Sequence, residues 1–261
     1  MPEGDTVWRT ARRLHRALAE RALTGSDFRV PRHASVDLSG QVVHEVVARG
    51  KHLLHRIGDD TTLHTHLKME GAWHLYRPAS RWRRPGFQAR VVLQTDAWLA
   101  VGFDLGAVDV VRRAAEHDLV GHLGPDLLGT DWDAEEAVRR LRRDPDRQIG
   151  DALLDQRNLA GIGNLYKSEV CFLTGTDPYR RVGDVDLPRI VARAHALLQA
   201  NKERAEQTTT GDRRAGSRTW VYRRGGQPCR RCGTTVRAVD QQGAAHTRQT
   251  FWCPHCQPLD G

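Results

Sequence analysis

The sequence predicts an α+β protein. An N-terminal helix packs on an antiparallel β-sandwich, and a helical domain and a metal-stapled β-hairpin follow. Three observations carry this. Residues 5–22 place Val7, Ala11, Leu14 and Leu18 on one helical face. Residues 41–103 break into short apolar or alternating runs bounded by turn residues, the signature of strands. Beyond Ala134 the apolar spacing becomes helical, and the chain ends on two Cys-x2-Cys pairs.

Each element has a local reason. Gly4 or Asp5 sits where the first helix needs an N-cap, which places Pro2 just before the positive end of the helix dipole. Residues 41–57 are rich in Val and Leu and are split by Arg49-Gly50-Lys51, so they read as two strands joined by a turn. Further strands are expected at 61–67, 71–76, 87–94 and 97–103, which fills a sandwich over roughly the first 115 residues. Gly121, Gly124-Pro125 and Gly129 punctuate a linker. Helices are then expected over 134–141, 147–156, 163–174 and 187–203, with a mobile polar loop at 207–218. The segment 220–257 is too short to bury a core of its own, so a metal must stabilise it. The expected domains are 1–120, 126–218 and 219–257.

The formal net charge is +8 over 261 residues, and only four lysines contribute to it: Lys51, Lys68, Lys167 and Lys202. A basic balance favours a polyanionic partner, while an arginine-rich composition explains it equally well. The five cysteines are an odd count, four of them paired by spacing and Cys171 alone, which speaks for a metal site in a reducing compartment rather than for disulfides. No signal-peptide pattern opens the chain and no apolar run is long enough to span a bilayer. A soluble monomer, cytoplasmic and nucleoid-associated, with no membrane contact, is the expectation.

Cys229, Cys232, Cys253 and Cys256 follow the pattern C-x2-C, twenty residues, C-x2-C. Four thiolates suit one structural Zn2+, and a closed four-sulfur site does not catalyse. The basic hairpin between the pairs reads either as a groove-binding element or as an exposed charged surface. Gly161-Ile162-Gly163-Asn164 joins two helical stretches, a turn that brings backbone N–H groups to a ligand phosphate or merely connects two helices. At the other end, Pro2 follows the initiator Met1 and is small enough for that residue to be trimmed. Trimming leaves a secondary amine. Such an amine attacks an aldehyde-like carbon to give an iminium, positive without needing a proton. An α-amino pKa near ~8 leaves a useful neutral fraction. Glu3 is a carboxyl placed for proton transfer at the same centre, and Lys51 is a second cation for a phosphate or a proton source.

These pieces together resemble one family. Met1-Pro2-Glu3-Gly4, Arg49-Gly50-Lys51, His66-Leu67-Lys68-Met69, Leu123-Gly124-Pro125-Asp126, the Gly161–Asn164 turn and Pro228 to Gln257 are similar, in order and end to end, to the formamidopyrimidine-DNA glycosylase and endonuclease VIII family. The opening Pro-Glu-Gly and Leu153-Leu154-Asp155-Gln156 look closer to the endonuclease VIII branch. The resemblance implies a base-excision enzyme with a helix–two-turn–helix motif and a zinc-finger hairpin. It would hold damaged duplex DNA in a basic cleft, release oxidised bases and cut the strand by β,δ-elimination. Carried over by position, Pro2 is the Schiff-base nucleophile, Glu3 the general acid, Lys51 the phosphate-contacting lysine of the first elimination, and Arg248 the zinc-finger arginine linked to the second. Asn164 binds phosphate, Lys68 and His122 stand where relatives contact DNA, and Met69 fills the gap left by an extruded base.

The chain departs from the pattern at several points. Thr6 replaces a common glutamate, Lys68 replaces an uncharged residue, and Phe103 to Val108 lacks the arginine and phenylalanine that probe the opposite strand. Wedging then falls to Met69, with Leu105 as a second candidate. The absence of a long capping loop before residue 220 favours oxidised pyrimidines. Two rivals remain: a damage-marking module without catalysis, and an RNA-binding zinc-hairpin protein, which leaves the Pro-Glu terminus unexplained.

Overall fold

The computed structural model describes residues 2–242 and 247–259, with backbone only for Gln241, Gln242, Thr247 and Arg248. The chain divides into two compact units, Met1–His122 and Leu123–Gly261.

The first unit opens with α1 (Gly4–Leu18), whose Val7, Ala11, Leu14 and Leu18 are buried as the spacing predicts. The helix is shorter than expected, because Ala19 is extended and Glu20 takes a positive φ of 57°. The chain then runs straight into β1 (Arg21–Ala22) and β2 (Gly25–Phe28). Next come β3 (Val42–Arg49), β4 (His52–Ile57), β5 (Thr61–His66) and β6 (Ala72–Tyr76). The unit finishes with β7 (Ala89–Gln94), β8 (Leu99–Phe103), β9 (Ala107–Arg112) and the short α2 (Glu116–Val120). Among the described residues these strands form two antiparallel sheets, ordered β1-β3-β4-β5-β9 and β2-β7-β8-β6. Side chains of both sheets (Val46, Leu53, Leu63; Phe28, Val91, Leu93) and the apolar face of α1 share one core. This is the predicted helix on a sandwich.

The strands β2 and β9 and the helix α2 were not predicted. Gly25 and Asp27 weaken the signal of a four-residue strand, and Asp109 interrupts the alternation of β9. The register supplies what local propensity lacks: β9 pairs with β5 from Thr61↔Arg112 to His66↔Ala107. Arg56 of β4 bonds both Glu116 of α2, at 2.8–3.3 Å, and Glu45 of β3, which ties α2 to the sheet.

The second unit contains α3 (Ala134–Leu141), α4 (Ile149–Leu154), α5 (Asn164–Thr174) and α6 (Leu187–Asn201). Asp133 and Asp186 cap α3 and α6 by accepting the N–H of Glu136 and Arg189. The helix α5 is buried on nearly every side and ends at Gly175, φ 72°. Its buried polar side chains are hydrogen-bonded, Lys167 to Thr250 and Glu169 to the backbone of residues 220–222, so the helix sits at the centre of its unit. The hairpin β10 (Arg237–Gln242) and β11 (Thr247–Trp252) follows, paired from Arg237↔Trp252 to Gln242↔Thr247. The segment 207–218 differs from the expected mobile loop. Thr208 is buried, its N–H donates to Asn201 Oδ1 at 2.8 Å, and the Thr210 hydroxyl donates to Ser217 O at 2.7 Å. The Thr209 hydroxyl bonds Glu169, whose buried carboxylate also accepts the N–H groups of Trp220, Val221 and Tyr222, each at 2.8 Å. Burial holds this carboxyl above its usual value in spite of those bonds. The pairing anchors the strand of chain that leads into the cysteines.

Candidate active site

Pro2 is half-buried and directly precedes α1, with Glu3 at the N-cap in extended conformation (φ −114°, ψ −178°). A glutamate here ordinarily serves the helix end, yet Glu3 makes no side-chain capping bond while its carboxyl is fully buried. Only the Glu3 carbonyl serves the helix, accepting the N–H of Val7 at 3.0 Å. A buried acid beside the chain start is a candidate for proton chemistry.

The helix α1 packs along β3 and reaches β4. These strands are joined by Gly50-Lys51, since Arg49 pairs directly with His52. Gly50 has φ 56°, as the first central residue of a tight II′-like hairpin requires, so the turn fixes Lys51 at the tip. Lys51 and Lys68 both press on His66, whose imidazole is pushed down to about 4 by burial first and these two cations next. The His66 Nδ1 accepts the backbone N–H of Lys68 at 2.9 Å. The lysine and histidine site candidates singled out from the sequence thus gather at one place: Lys51, Lys68 and, through the rings of His66 and His52, His122, whose ring centroid lies 6.4 Å from that of His52.

The residues beyond His66 form a projecting loop. Lys68 takes a positive φ of 52° and Met69 is 56% exposed, uncommon for an apolar side chain. The stem of Lys68 lies across Gly106, where any Cβ would collide with it, so this glycine is required by close approach. Arg84 donates to Glu70 O at 3.1 Å and to Asp104 at 3.2 Å, clamping the Met69 loop to the 104–106 turn. Leu105 does not share the exposure of Met69. It is 8% exposed and packs into the sandwich core against Gly102 and Trp73, so the second wedge candidate is withdrawn.

In the second unit, the Gly161–Asn164 turn is built by Gln156, which donates to Ile162 O at 3.0 Å and accepts the Gly161 N–H at 3.0 Å. Gly161 has φ 107°, and Asn164 opens α5. The side-chain amide of Asn164 donates to Gln249 O at 2.8 Å, so it spans to β11, and its Oδ1 is buried without a bond partner. Fully buried Lys167, one turn on, donates to Thr250 at 2.6 Å. The two residues fix β11, and with it the backbone of Arg248, beside the start of α5. The Arg248 backbone pairs with Gln241, and its side chain lies outside the described residues.

The ligand atoms of Cys229, Cys232, Cys253 and Cys256 lie within 4.8 Å of one another. Sulfur pairs stand 3.9 Å (Cys229–Cys256) and 3.5 Å (Cys232–Cys253) apart. Four sulfurs at ~2.3 Å from a tetrahedral centre are about 3.8 Å apart, so the residues fit a metal ion. Cys171 is elsewhere, fully buried in α5, where burial pushes its thiol up to about 12 and leaves it inert.

Sequence reasoning missed His52, His64, Asp109 and Arg84. The recurrence of His at 52, 64 and 66 on strand-like segments was the available signal; the pairing of β5 with β9 was not.

A helix-backed sandwich with a Pro-Glu start, a glycine turn at the head of a buried helix and a four-cysteine hairpin define a class of DNA-repair glycosylases. The chain matches models of the formamidopyrimidine-DNA glycosylase N-terminal domain over residues 1–117, the formamidopyrimidine-DNA glycosylase H2TH domain over 123–212, and the zinc finger found in FPG and IleRS over 226–259. It is 54% identical to a probable endonuclease 8 2 of Streptomyces coelicolor, over 98% of this chain and 94% of that one. It is 49% identical to the DNA-(apurinic or apyrimidinic site) lyase Nei2 of Mycolicibacterium smegmatis, over 98% and 99%. Identity to an Escherichia coli endonuclease 8 is 30%, over 98% and 100%. The fold matches Lactococcus lactis Fpg, solved with abasic-site DNA, at a TM-score of 0.81 and 22% identity, covering 98% of this chain and 99% of that one. The chain belongs to the formamidopyrimidine-DNA glycosylase and endonuclease 8 family of DNA glycosylase–lyases. Among the described residues, no helix is long and apolar enough to cross a membrane.

Proposed function

We propose that the protein removes oxidised bases, pyrimidines favoured, from duplex DNA and cuts the strand at the resulting abasic site through a Schiff base on Pro2. The observation that carries this reading is the position of Pro2 next to a fully buried Glu3 at the head of α1. With Met1 removed, the proline nitrogen attacks C1′ of the damaged nucleotide. Glu3 donates the proton that opens the sugar as the base departs. The iminium so formed draws electrons from C2′, whose proton is lost as the C3′–O bond breaks. A second elimination breaks the C5′–O bond.

The surroundings support each step. Lys51 and Lys68, both close to His66, hold a phosphate beside the lesion. Met69, exposed on a clamped loop, fills the gap left by the extruded base. Asn164 and Arg248, brought to one place by the bond from Asn164 to Gln249, grip phosphates from the second unit. The four cysteines hold Zn2+, the ion that suits four thiolates, and it acts only by making the hairpin rigid. The lyase name of the Mycolicibacterium relative and the abasic-site DNA bound by the Lactococcus protein agree with this chemistry.

Borohydride reduction tests it. A covalent protein–DNA adduct is expected with a thymine-glycol or abasic duplex, and none with Pro2→Gly. Equal trapping by Pro2→Gly removes the proposal.

A further inference from the structure

Behind the phosphate-binding corner lies a hydrogen-bonded chain that the reaction does not use. Asp109 Oδ2 stands 2.9 Å from His64 Nδ1, and His64 Nε2 stands 2.8 Å from His52 Nδ1. The rings of His52 and His64 stack at 5.0 Å, and His66 meets His52 edge-on at 4.9 Å. Sheet register creates the chain: His64 faces Asp109 across β5 and β9, and His52 faces His66 across β4 and β5.

Donor logic orients it. A carboxylate only accepts, so His64 carries a proton on Nδ1, and in its neutral form it presents a lone pair at Nε2. His52 must then donate from Nδ1, which leaves its Nε2 as an acceptor. His66 accepts at Nδ1 from Lys68 N–H, so its own proton sits on Nε2. A half-buried carboxylate therefore sets the tautomer of two successive neutral imidazoles, and the chain ends in an acceptor at His52 Nε2.

We propose that Asp109, His64 and His52 form a proton wire behind the phosphate site, so that seating a DNA phosphate there is accompanied by uptake of one proton. The proposal rests on the phosphate reading of Lys51, His66 and Lys68. One proton from solvent adds at His52 Nε2, while His52 Nδ1–H keeps donating to His64 Nε2 and His64 stays on Asp109. No other bond changes.

The surroundings explain why uptake waits for DNA. His52 is pushed down to about 3 by burial and then by His66, His64, His122 and Lys68. His66 is pushed down to about 4 by burial and then by Lys68, Lys51 and His64. The negative end is Asp109, which also binds Arg32 at 2.6 Å. The free corner thus holds several cationic or potentially cationic groups against one carboxylate. A phosphate about 4 Å away, at an effective dielectric of about 20, raises a proton affinity by about a thousandfold. That brings His52 towards titration at physiological pH.

The test uses the whole protein and a duplex carrying a tetrahydrofuran abasic analogue. Affinity is measured by fluorescence anisotropy at pH 6, 7 and 8 and constant salt. Proton uptake is measured by calorimetry at pH 6.5 in buffers of different ionisation enthalpy. The wild type is expected to bind several-fold tighter at pH 6 than at pH 8, and to take up at least half a proton more than Asp109→Asn or His64→Gln. Both variants should match wild-type affinity within about threefold at pH 8. A merely structural role predicts equal weakening at every pH and unchanged uptake, and either overturns the wire. If Asp109→Asn fails to fold by circular dichroism, His52→Gln tests the other end. Binding without any wild-type uptake refutes the wire alone; no binding to the duplex refutes the phosphate reading as well.

Discussion

Replacing His55 by phenylalanine tests the electrostatic state of the sandwich. His55 lies in β4, fully buried, with its ring 5.1 Å from that of Trp73. Its Nδ1–H donates to Leu63 O at 3.1 Å, and its buried Nε2 has no partner. Burial pushes it from an ordinary 6.5 down to about 4. The folded protein therefore keeps His55 neutral where the unfolded chain binds a proton. Stability from this source is complete above pH 6.5 and declines as the pH falls towards 4. The interval of 2.5 pH units corresponds to about 3 kcal/mol in all, or about 1.4 kcal/mol per pH unit. His52 and His66 shift in the same direction and add to the slope. Urea unfolding of wild type and His55→Phe at pH 7.5, 6.5, 5.5 and 4.5 separates the terms. The wild type should lose stability steeply below pH 6.5, where the variant should lose about 1.4 kcal/mol less per pH unit, and the two should run parallel above it. Parallel curves for the two proteins below pH 6.5 would falsify the claim that a buried, neutral His55 opposes acid.

The remaining predictions concern the chemistry and the hairpin. Glu3→Gln should lower release of an oxidised base at least about a hundredfold, the usual contribution of a general acid. Cleavage of a preformed abasic site should fall far less, because its sugar is already open; parallel losses in a gel assay would remove Glu3 from its assigned step. Cys253→Ser should abolish stoichiometric zinc, read by a chromogenic chelator, and weaken binding to an abasic duplex. Retained zinc with normal binding would show that the thiolate cluster is not what makes the hairpin rigid.

Much of this architecture was legible in the sequence because local signals and tertiary needs agreed. The Gly50 turn and the spacing of the cysteines each state a requirement that few other residues meet. Apolar spacing placed α1 on its core without help from partners, although its end at Leu18 depended on the extended Ala19. What escaped was set by pairing between distant segments. The strand β9 has a weak pattern and is made a strand by β5, and that pairing alone sets Asp109 against His64. Arg84 reads as one more surface arginine until Glu70 and Asp104 are seen beside it. Asn164 read as a phosphate ligand, and its bond to Gln249 O adds a tether to β11 that no local pattern announces.

The central claim is that the proline nitrogen becomes covalently joined to the sugar of the damaged nucleotide. Protease digestion of the borohydride-reduced complex, followed by tandem mass spectrometry, reads the attachment point directly. The account predicts the deoxyribose-derived mass on the nitrogen of Pro2 in a peptide lacking Met1. Finding that mass on Lys51, Lys68 or any other side chain, with Pro2 unmodified, would contradict it.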